Sequence, residues 1–444
     1  MSFLCISQES KTFLVLNFSF NFIRQTVIYM VRALKISVTL TLFFLPLILL
    51  ILTVQGYSQS YDQVVFSGAD DDEGYACLPV NDGYILTGST ESYGNGNQDA
   101  WIMRVNEDLE QIWAKTVGGA TTGFSRGLIL TSDEKLVTIG ESYRGAPGLI
   151  EILVTKFTKD GILEWAQRYG GSGDEEGYCL IETPDKGFIM GGSTSSSERY
   201  YSGILIKIDS IGNLQWSKKL NYVSTLQIFA LTIYKDKIII VGRVRYFDYN
   251  ILVGMLDLEG NPEWIMSLGK GEDDFGKSLL VTEDDEIVVL GQTTSESNED
   301  FDICLLRIDS TGNIIAGKKY GTPALDAANN LLATDEGFSI LGYSEGVNAG
   351  DEKRILMLKT DRDFNLTSTQ AYGGEDLEGF LPDHSKSSIN YSNEGGFIIT
   401  GIATALNKND KDVFCAKTDE NGLTYCEDIE VDLSESDFIP DMEF

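Results

Sequence analysis

The chain has 444 residues, and its 67 acidic and 34 basic side chains give a formal net charge of −33. Such a surface repels phosphate backbones, so we expect no nucleic-acid partner, while cations, basic proteins and neutral glycans remain open. The composition combines 45 glycines with 8 prolines and 11% aromatic residues, which suits many short strands joined by tight turns.

The first 58 residues have the pattern of an export leader. From Met30 a short basic segment is followed by an apolar stretch that Pro46 interrupts, and then by small residues around Gly56 and Ser58. This order is typical of a secretory signal peptide. We therefore predict a leader over 1–58 whose true start is Met30, and a mature chain without a membrane span that is secreted to the periplasm or the extracellular space. The alternative is an uncleaved signal anchor, because the apolar run is nearly long enough to span a bilayer.

Two landmarks recur along the rest of the chain at a period of about fifty residues, which indicates a repeat architecture. The first is a glycine that ends an apolar strand; it stands at Gly88, Gly140, Gly192, Gly242, Gly291, Gly342 and Gly401. The second is a tryptophan after a turn; it stands at Trp113, Trp165, Trp216 and Trp264 and continues in register as Ala316, Ser368 and Cys426. Both landmarks predict seven units.

Each unit is expected to form four short strands. In the third unit Ile204, Ile206 and Ile208 alternate with more polar neighbours, and turns such as DSIGN (209–213) supply the Asp, Gly and Asn that tight hairpins need. Seven such units predict an all-β fold, a seven-bladed β-propeller of four-stranded antiparallel blades over 59–431, followed by an acidic tail over 432–444. Either 61–68 or 422–431 could supply the strand that closes the ring. We expect a monomer.

The turn motifs carry a family resemblance. IDSIGNLQW (208–216), KDGILEW (159–165) and LEGNPEW (258–264) resemble the Asp-x-x-Gly-x-x-x-Trp signature of quinoprotein-like (PQQ-type) propeller repeats. YGGSGDEEGY (169–178) with the following GFIMGGST is similar to repeats of secreted bacterial propeller proteins. The resemblance covers 61–426 and implies the fold more than a function. Quinoprotein dehydrogenases have eight blades, a quinone cofactor and a divalent metal, so seven units favour a degenerate relative at most, and we expect no organic cofactor.

Acidic turns precede the first strand of alternate units. Carboxylates in such turns can bind calcium, which prefers several oxygen ligands, or can hold the turn by accepting backbone N–H groups. The sequence leaves both readings open, so calcium is the one cofactor that it allows. The candidate ligands are Asp70, Asp71, Asp174, Asp273 and Asp376.

The loops before the first strand and between the second and third strands emerge on one face of the ring, called here the loop-rich face. These loops carry the exposed tyrosines that we take as candidate ligand contacts: Tyr93, Tyr143, Tyr200, Tyr201 and Tyr246. The only histidine is His384, and no catalytic constellation is evident, so we predict a non-catalytic recognition module that binds a protein or a glycan. The alternatives are a carboxylate-dependent glycan-active enzyme, whose mark would be two inward carboxylates about 5 to 10 Å apart, and a structural surface repeat.

Five cysteines follow the leader, an odd number for an exported protein. In the last unit Cys415 and Cys426 flank the DENG turn at positions that should lie opposite each other on adjacent strands. We predict a disulfide between them; the alternative is two small buried thiols.

Overall fold

The computed structural model describes most of the chain after the leader. The described residues are 63–95, 97–119, 122–144, 149–196, 200–221, 225–269, 273–294, 300–346, 354–372, 387–404, 411–424 and 433–443. The predicted leader, Asp376, His384 and Cys426 lie outside these ranges.

Every regular element in the described ranges is a β-strand. The strands are, in chain order, β1 (Gln63–Phe66), β2 (Asp72–Val80), β3 (Gly83–Thr90), β4 (Asp99–Val105), β5 (Gln111–Val117), β6 (Gly123–Leu130), β7 (Lys135–Arg144), β8 (Leu149–Thr158), β9 (Leu163–Tyr169), β10 (Glu175–Glu182), β11 (Phe188–Thr194), β12 (Ser202–Ile208), β13 (Leu214–Leu220), β14 (Leu226–Tyr234), β15 (Lys237–Arg245), β16 (Tyr249–Asp257), β17 (Pro262–Gly269), β18 (Asp274–Val281), β19 (Ile287–Thr294), β20 (Phe301–Ile308), β21 (Ile314–Gly321), β22 (Asp326–Ala333), β23 (Gly337–Ser344), β24 (Arg354–Asp361), β25 (Leu366–Tyr372), β26 (Ser388–Tyr391), β27 (Phe397–Thr404), β28 (Lys411–Thr418), β29 (Ser434–Asp437) and β30 (Asp441–Glu443).

These strands form seven antiparallel sheets, the blades of a β-propeller, so the predicted fold class is confirmed. Blades 1 to 6 each contain four consecutive strands, of which the first is β2, β6, β10, β14, β18 and β22 respectively. Blade 7 contains β26, β27, β28 and β1. The repeat period of about fifty residues therefore corresponds to one blade.

The N-terminal strand closes the ring. β1 pairs with β28, so that Gln63 lies opposite Ala416 and Phe66 opposite Val413. β1 occupies the outer edge of blade 7, and this edge was the position for which the sequence offered an N-terminal and a C-terminal candidate. The N-terminal candidate supplies the strand.

The C-terminal segment extends two other blades. β29 pairs with β21 at the outer edge of blade 5, and β30 pairs with β17 at the outer edge of blade 4. Leu433 and Phe438 from the same segment are buried, each in an apolar cluster between blades. Part of the segment that composition marks as an acidic tail is thus anchored on the outside of the ring.

The hydrophobic core lies between neighbouring blades. In one cluster Val137 and Ile152 of blade 2 pack with Leu180 and Met190 of blade 3. Stacking of this kind is required because a single four-stranded sheet cannot bury both of its faces. The first strand of every blade faces the central channel, which is where the candidate site lies.

Candidate functional site at the central channel

The first strand of each of blades 1 to 6 contains a β-bulge. In blade 1 Gly74 pairs with Gly88 and Ala76 with Thr87, so that Tyr75 between them has no residue opposite it. A bulge of this kind redirects a side chain and is often found next to active sites. The bulged residues are Tyr75, Arg126, Tyr178, Phe229, Lys277 and Asn329.

The glycine landmark of the repeat makes room for the bulge. A Cβ atom on Gly88 would lie 1.8 Å from the carbonyl oxygen of Glu73, and one on Gly192 would lie 2.0 Å from that of Glu176. Any side chain at these positions would collide with the backbone of the first strand. The landmark read from the sequence as the end of a strand is therefore required by the bulge opposite it.

The bulged side chains line a central cavity of about 220 Å³, together with Ser387 of blade 7. We call these seven residues the bulge ring. Three of its side chains are aromatic, two are basic and two are small and polar, and none is acidic. Aromatic walls with a few polar groups are typical of small-ligand pockets.

On one side of the cavity Arg126 forms a buried ion pair with Glu141. The Arg126 Nε atom lies 3.1 Å from Glu141 Oε1, and the guanidinium carbon lies 4.5 Å from the centre of the Phe124 ring and 5.8 Å from that of Tyr178. Burial raises the pKa of Glu141 to about 7, although Arg126 opposes the shift. A buried carboxyl group with a raised pKa thus lies directly behind Arg126.

The two ring tyrosines are each bound to a carboxylate two residues earlier. Tyr75 donates its hydroxyl proton to Glu73, which also accepts a hydrogen bond of 2.6 Å from Lys411 Nζ. Tyr178 donates to Glu176. Burial, and then the neighbouring carboxylate, raises the pKa of both phenols above the usual range. Both tyrosines are therefore neutral and held in fixed orientations.

The opposite side of the cavity pairs a cation with phenyl rings. Lys277 Nζ lies 5.5 Å from the centre of the Phe275 ring and 5.7 Å from that of Phe229. Asn329 Nδ2 donates to Ser387 Oγ at 3.0 Å, which links the polar members of the ring. Cations over aromatic faces are stabilised electrostatically.

The loop-rich face lies directly above this ring. The amide of Ser195, after the second strand of blade 3, donates to the carbonyl oxygen of Asp174, before the first strand, at 2.8 Å. Glu91 and Asp71 make the same contact in blade 1. The two loop families therefore do emerge together, as the alternation of strand direction predicts.

Two of the five candidate tyrosines come together at the channel mouth. Tyr143 of blade 2 and Tyr201 of blade 3 are half-buried, and burial raises the pKa of each, with further contributions from Glu141, Glu176 and Asp174. These five groups form one sector of the mouth, between blades 2 and 3.

The other three candidate tyrosines are separate from this sector. Tyr93 and Tyr200 are 62% and 48% exposed. Tyr246 packs against an apolar cluster of blades 3 and 4.

The acidic turns connect neighbouring blades. Asp174 Oδ1 accepts the backbone N–H of Ile150 at 3.0 Å, and Asp273 Oδ1 accepts that of Tyr249 at 3.0 Å. Asp71 Oδ1 accepts the N–H of Lys411 at 2.9 Å. In each case a carboxylate caps the start of the third strand in the preceding blade. This geometry fits the turn-holding interpretation.

The calcium sites stay a prediction. Asp70 is exposed, and its backbone N–H is bonded to Ser92 Oγ at 3.0 Å. Among the residues that the structure describes, no three His, Cys, Asp or Glu side chains are grouped so as to hold a metal ion.

The cysteine prediction also stays open. Cys415 is buried, and Val64 of the closing strand lies opposite it. Cys426 lies outside the described residues. Peptide mapping under non-reducing conditions would detect the predicted disulfide.

Sequence reasoning missed the bulge ring. The signal was present in EGY (73–75), EGY (176–178) and FGK (275–277), where a large side chain follows a glycine near the start of the first strand. The period-two alternation does not reveal it, because a bulge breaks that alternation.

No known family model and no curated sequence matches this chain. Solved structures similar to it include polysaccharide lyase Uly1, with 13% identity, 83% of this chain and 93% of that chain covered, and a TM-score of 0.48. The periplasmic gluconolactonase PpgL of Pseudomonas aeruginosa has 11% identity, with 70% and 94% covered and a TM-score of 0.43. The β-propeller domain of the Trilobed protease from Pyrococcus furiosus has 9% identity, with 80% and 99% covered and a TM-score of 0.45. At these identities and TM-scores the likeness carries no argument about function, and the fold rests on the strand topology itself. Across the described residues the structure has no helix that could cross a membrane.

Proposed function

We propose that the chain is an exported recognition module that binds a glycan at the channel mouth on the loop-rich face. The observation that carries this proposal is the bulge ring, since six blades each use a bulge to direct one side chain into the same cavity. Tyr143 and Tyr201 add two half-buried aromatic side chains on the loop-rich face of the neighbouring blades 2 and 3.

The chemistry of the ring suits a sugar. Sugar rings present both C–H faces and hydroxyl groups, and tyrosine offers an aromatic face together with a hydroxyl group. Tyr75 and Tyr178 are oriented by their bonds to Glu73 and Glu176. A preorganised wall loses little conformational entropy when it binds a ligand.

The arrangement favours binding over carboxylate-dependent hydrolysis. A glycosidase requires two carboxyl groups that face the scissile bond across a gap. Here Glu73 and Glu176 are bonded to ring tyrosines, and Glu141 is bonded to Arg126. The side chains that reach the cavity are the partners of these carboxylates, namely Tyr75, Tyr178 and Arg126.

One observation favours an enzyme as a second candidate. The pKa of Glu141 is raised to about 7, and a general acid or base is most effective when its pKa lies near the working pH. Because Arg126 separates Glu141 from the cavity, Glu141 would act in an enzyme through Arg126; turnover of a bound glycan should then be lost in Glu141→Gln while binding persists.

A glycan array probed with the full chain tests the proposal. We expect binding to a defined subset of glycans and a loss of at least tenfold in affinity in Tyr143→Ala/Tyr201→Ala. The matched control is Tyr391→Ala, because Tyr391 is 44% exposed and lies at the far end of the first strand of blade 7. Equal binding by the double variant would contradict the proposed site.

Two further outcomes separate the alternatives. Binding of a protein but of no glycan would favour a protein receptor, and no ligand in either screen would favour a structural repeat. Export is tested separately by N-terminal sequencing of the secreted protein, which we expect to begin near residue 57 or 59.

A further inference from the structure

We infer that the bulge ring binds a small sugar that carries one carboxylate, held between Arg126 and Lys277. This inference rests on the proposed glycan recognition and names the class of ligand. The sites differ in depth: Tyr143 and Tyr201 contribute to the mouth, whereas the ring lines the cavity below it.

The charge of the ring is opposite to that of the chain. Acidic residues outnumber basic ones by 67 to 34 in the whole sequence, yet the two charged members of the ring are both basic. Arg126 belongs to blade 2 and Lys277 to blade 5, so they approach the cavity from different sides. An anion in the cavity would therefore lie between Lys277 and the Arg126 guanidinium, whose charge Glu141 partly compensates.

The surrounding carboxylates limit how much negative charge the cavity can accept. Glu73, Glu141 and Glu176 lie in the wall directly behind the ring. In a partly buried site, the negative charges of these carboxylates and of a bound anion would repel each other strongly. A single carboxylate is compatible with this wall, whereas a phosphate dianion would be repelled more strongly.

The rest of the ring fits a hydroxylated body of limited size. Tyr75, Tyr178 and Phe229 offer aromatic surface, and the rings of Tyr178 and Phe229 meet edge to face at 5.0 Å. Asn329 and Ser387 offer hydrogen bonds to hydroxyl groups. A cavity of about 220 Å³ has room for one sugar ring but not for a longer saccharide chain.

Isothermal titration calorimetry of the full chain with glucuronate, glucose and the methyl ester of glucuronate tests the inference. The three probes share a hydroxylated ring and differ in charge. We expect glucuronate to bind with a Kd at least tenfold lower than either uncharged sugar, and inorganic phosphate to bind more weakly than glucuronate. Glucuronate that shows no binding at roughly 10 mM, or no preference over its ester, would overturn the inference.

Lys277→Met is the deciding variant, because it removes the charge and keeps an unbranched side chain. We expect at least a tenfold loss of glucuronate affinity. Lys115→Met is the matched control, since Lys115 is exposed on the outer strand of blade 1. Arg126 is not replaced alone, because its loss would leave Glu141 buried without its partner. Unchanged glucuronate affinity in Lys277→Met would refute the assignment.

The two proposals can fail separately. If glycans bind through Tyr143 and Tyr201 but glucuronate has no advantage over glucose, only the ligand class is wrong. If glucuronate binding depends on Lys277 while array binding is indifferent to the two tyrosines, only the placement at the mouth is wrong. Unchanged melting temperatures of the variants confirm that the ring itself is intact.

Discussion

The Trp165 ring of blade 2 lies directly against Gly212 in the turn of blade 3. A Cβ atom on Gly212 would lie 3.4 Å from the indole atoms Cε3 and Cζ3. Trp113 and Gly161, and Trp216 and Gly260, repeat this contact between blades 1 and 2 and between blades 3 and 4. The Asp-x-x-Gly-x-x-x-Trp motif therefore joins neighbouring blades: the glycine of one blade accepts the tryptophan of the blade before it.

Between blades 5 and 6 the large and the small residue of this contact are exchanged. Phe364 stands at the glycine position of the turn, with a φ of 68° and no exposed surface, while the facing blade 5 has Ala316 at the tryptophan position. The Arg307 guanidinium of blade 5 lies 4.7 Å from the centre of the Phe364 ring. The large side chain belongs here to the turn of blade 6 and not to the outer strand of blade 5. This requires a left-handed backbone conformation at Phe364, which phenylalanine disfavours.

A double-mutant cycle tests this exchange. Phe364→Gly alone should destabilise the fold by about 3 kcal/mol, because a buried ring is lost, and Ala316→Trp alone by about 1 to 3 kcal/mol through overpacking. The loss of unfolding free energy in the double variant should be smaller than the sum of the two single losses by at least about 1 kcal/mol. Denaturant unfolding measures all three. Ser368→Trp with Phe364→Gly is the control pair, and additivity in both pairs would contradict the exchange.

Stability should depend on pH through Glu141. Burial raises its pKa from 4.5 to about 7 in the folded state. The stabilising contribution is therefore complete below about pH 4.5, where both states are protonated, and is lost as the pH rises through 7. The loss should be on the order of 3 kcal/mol.

Urea unfolding at intervals from pH 4.5 to 8 measures this dependence. The difference in unfolding free energy between the wild type and Glu141→Gln should change in favour of the variant as the pH rises. Glu420 lies in an exposed turn, so the unfolding free energy of Glu420→Gln should change with pH in parallel with that of the wild type. Parallel curves for Glu141→Gln as well would show that its carboxyl group is not shifted.

The acidic turns should stabilise the ring without a metal. Asp174→Ala removes the acceptor of the Ile150 N–H, and we expect it to reduce the unfolding free energy by about 1 kcal/mol. The reduction should be the same in excess chelator and in millimolar calcium. A calcium-dependent rise in melting temperature that Asp174→Ala abolishes would instead support ion binding, because a ligand of the native state stabilises it by mass action.

The C-terminal segment should contribute to stability through Phe438. Its side chain is 4% exposed between blades 4 and 5, and its backbone N–H donates to the Gly317 carbonyl at 2.9 Å. Phe438→Ala should destabilise the fold by about 3 kcal/mol. The adjacent Ile439→Ala is the control, since Ile439 is 63% exposed. Equal melting temperatures of all three proteins would show that the segment is only loosely attached.

The sequence predicts the fold well because the fold depends on repetition. Each glycine and tryptophan landmark marks a contact that recurs in several blades, so the number of units can be read without knowing any single contact. The landmarks of the closing strand are weaker, so the sequence leaves two candidate segments, and the pairing of β1 with β28 decides between them.

The site is less predictable for a physical reason. Arg126 and Lys277 are about 150 residues apart in the sequence and line the same cavity only because the ring closes. Their direction into the channel depends on a bulge, which sequence alternation does not reveal. Leu433 and Phe438 were similarly hidden in an acidic segment, since added edge strands depend on which blade edges are open.

A crystal structure of the full chain with glucuronate would show whether the bulge ring is the binding site. We expect an ordered sugar within the bulge ring, with its carboxylate between Arg126 and Lys277 and its ring against Tyr75, Tyr178 or Phe229. An ordered sugar elsewhere on the molecule, or an empty channel at a concentration where calorimetry shows saturation, would contradict it.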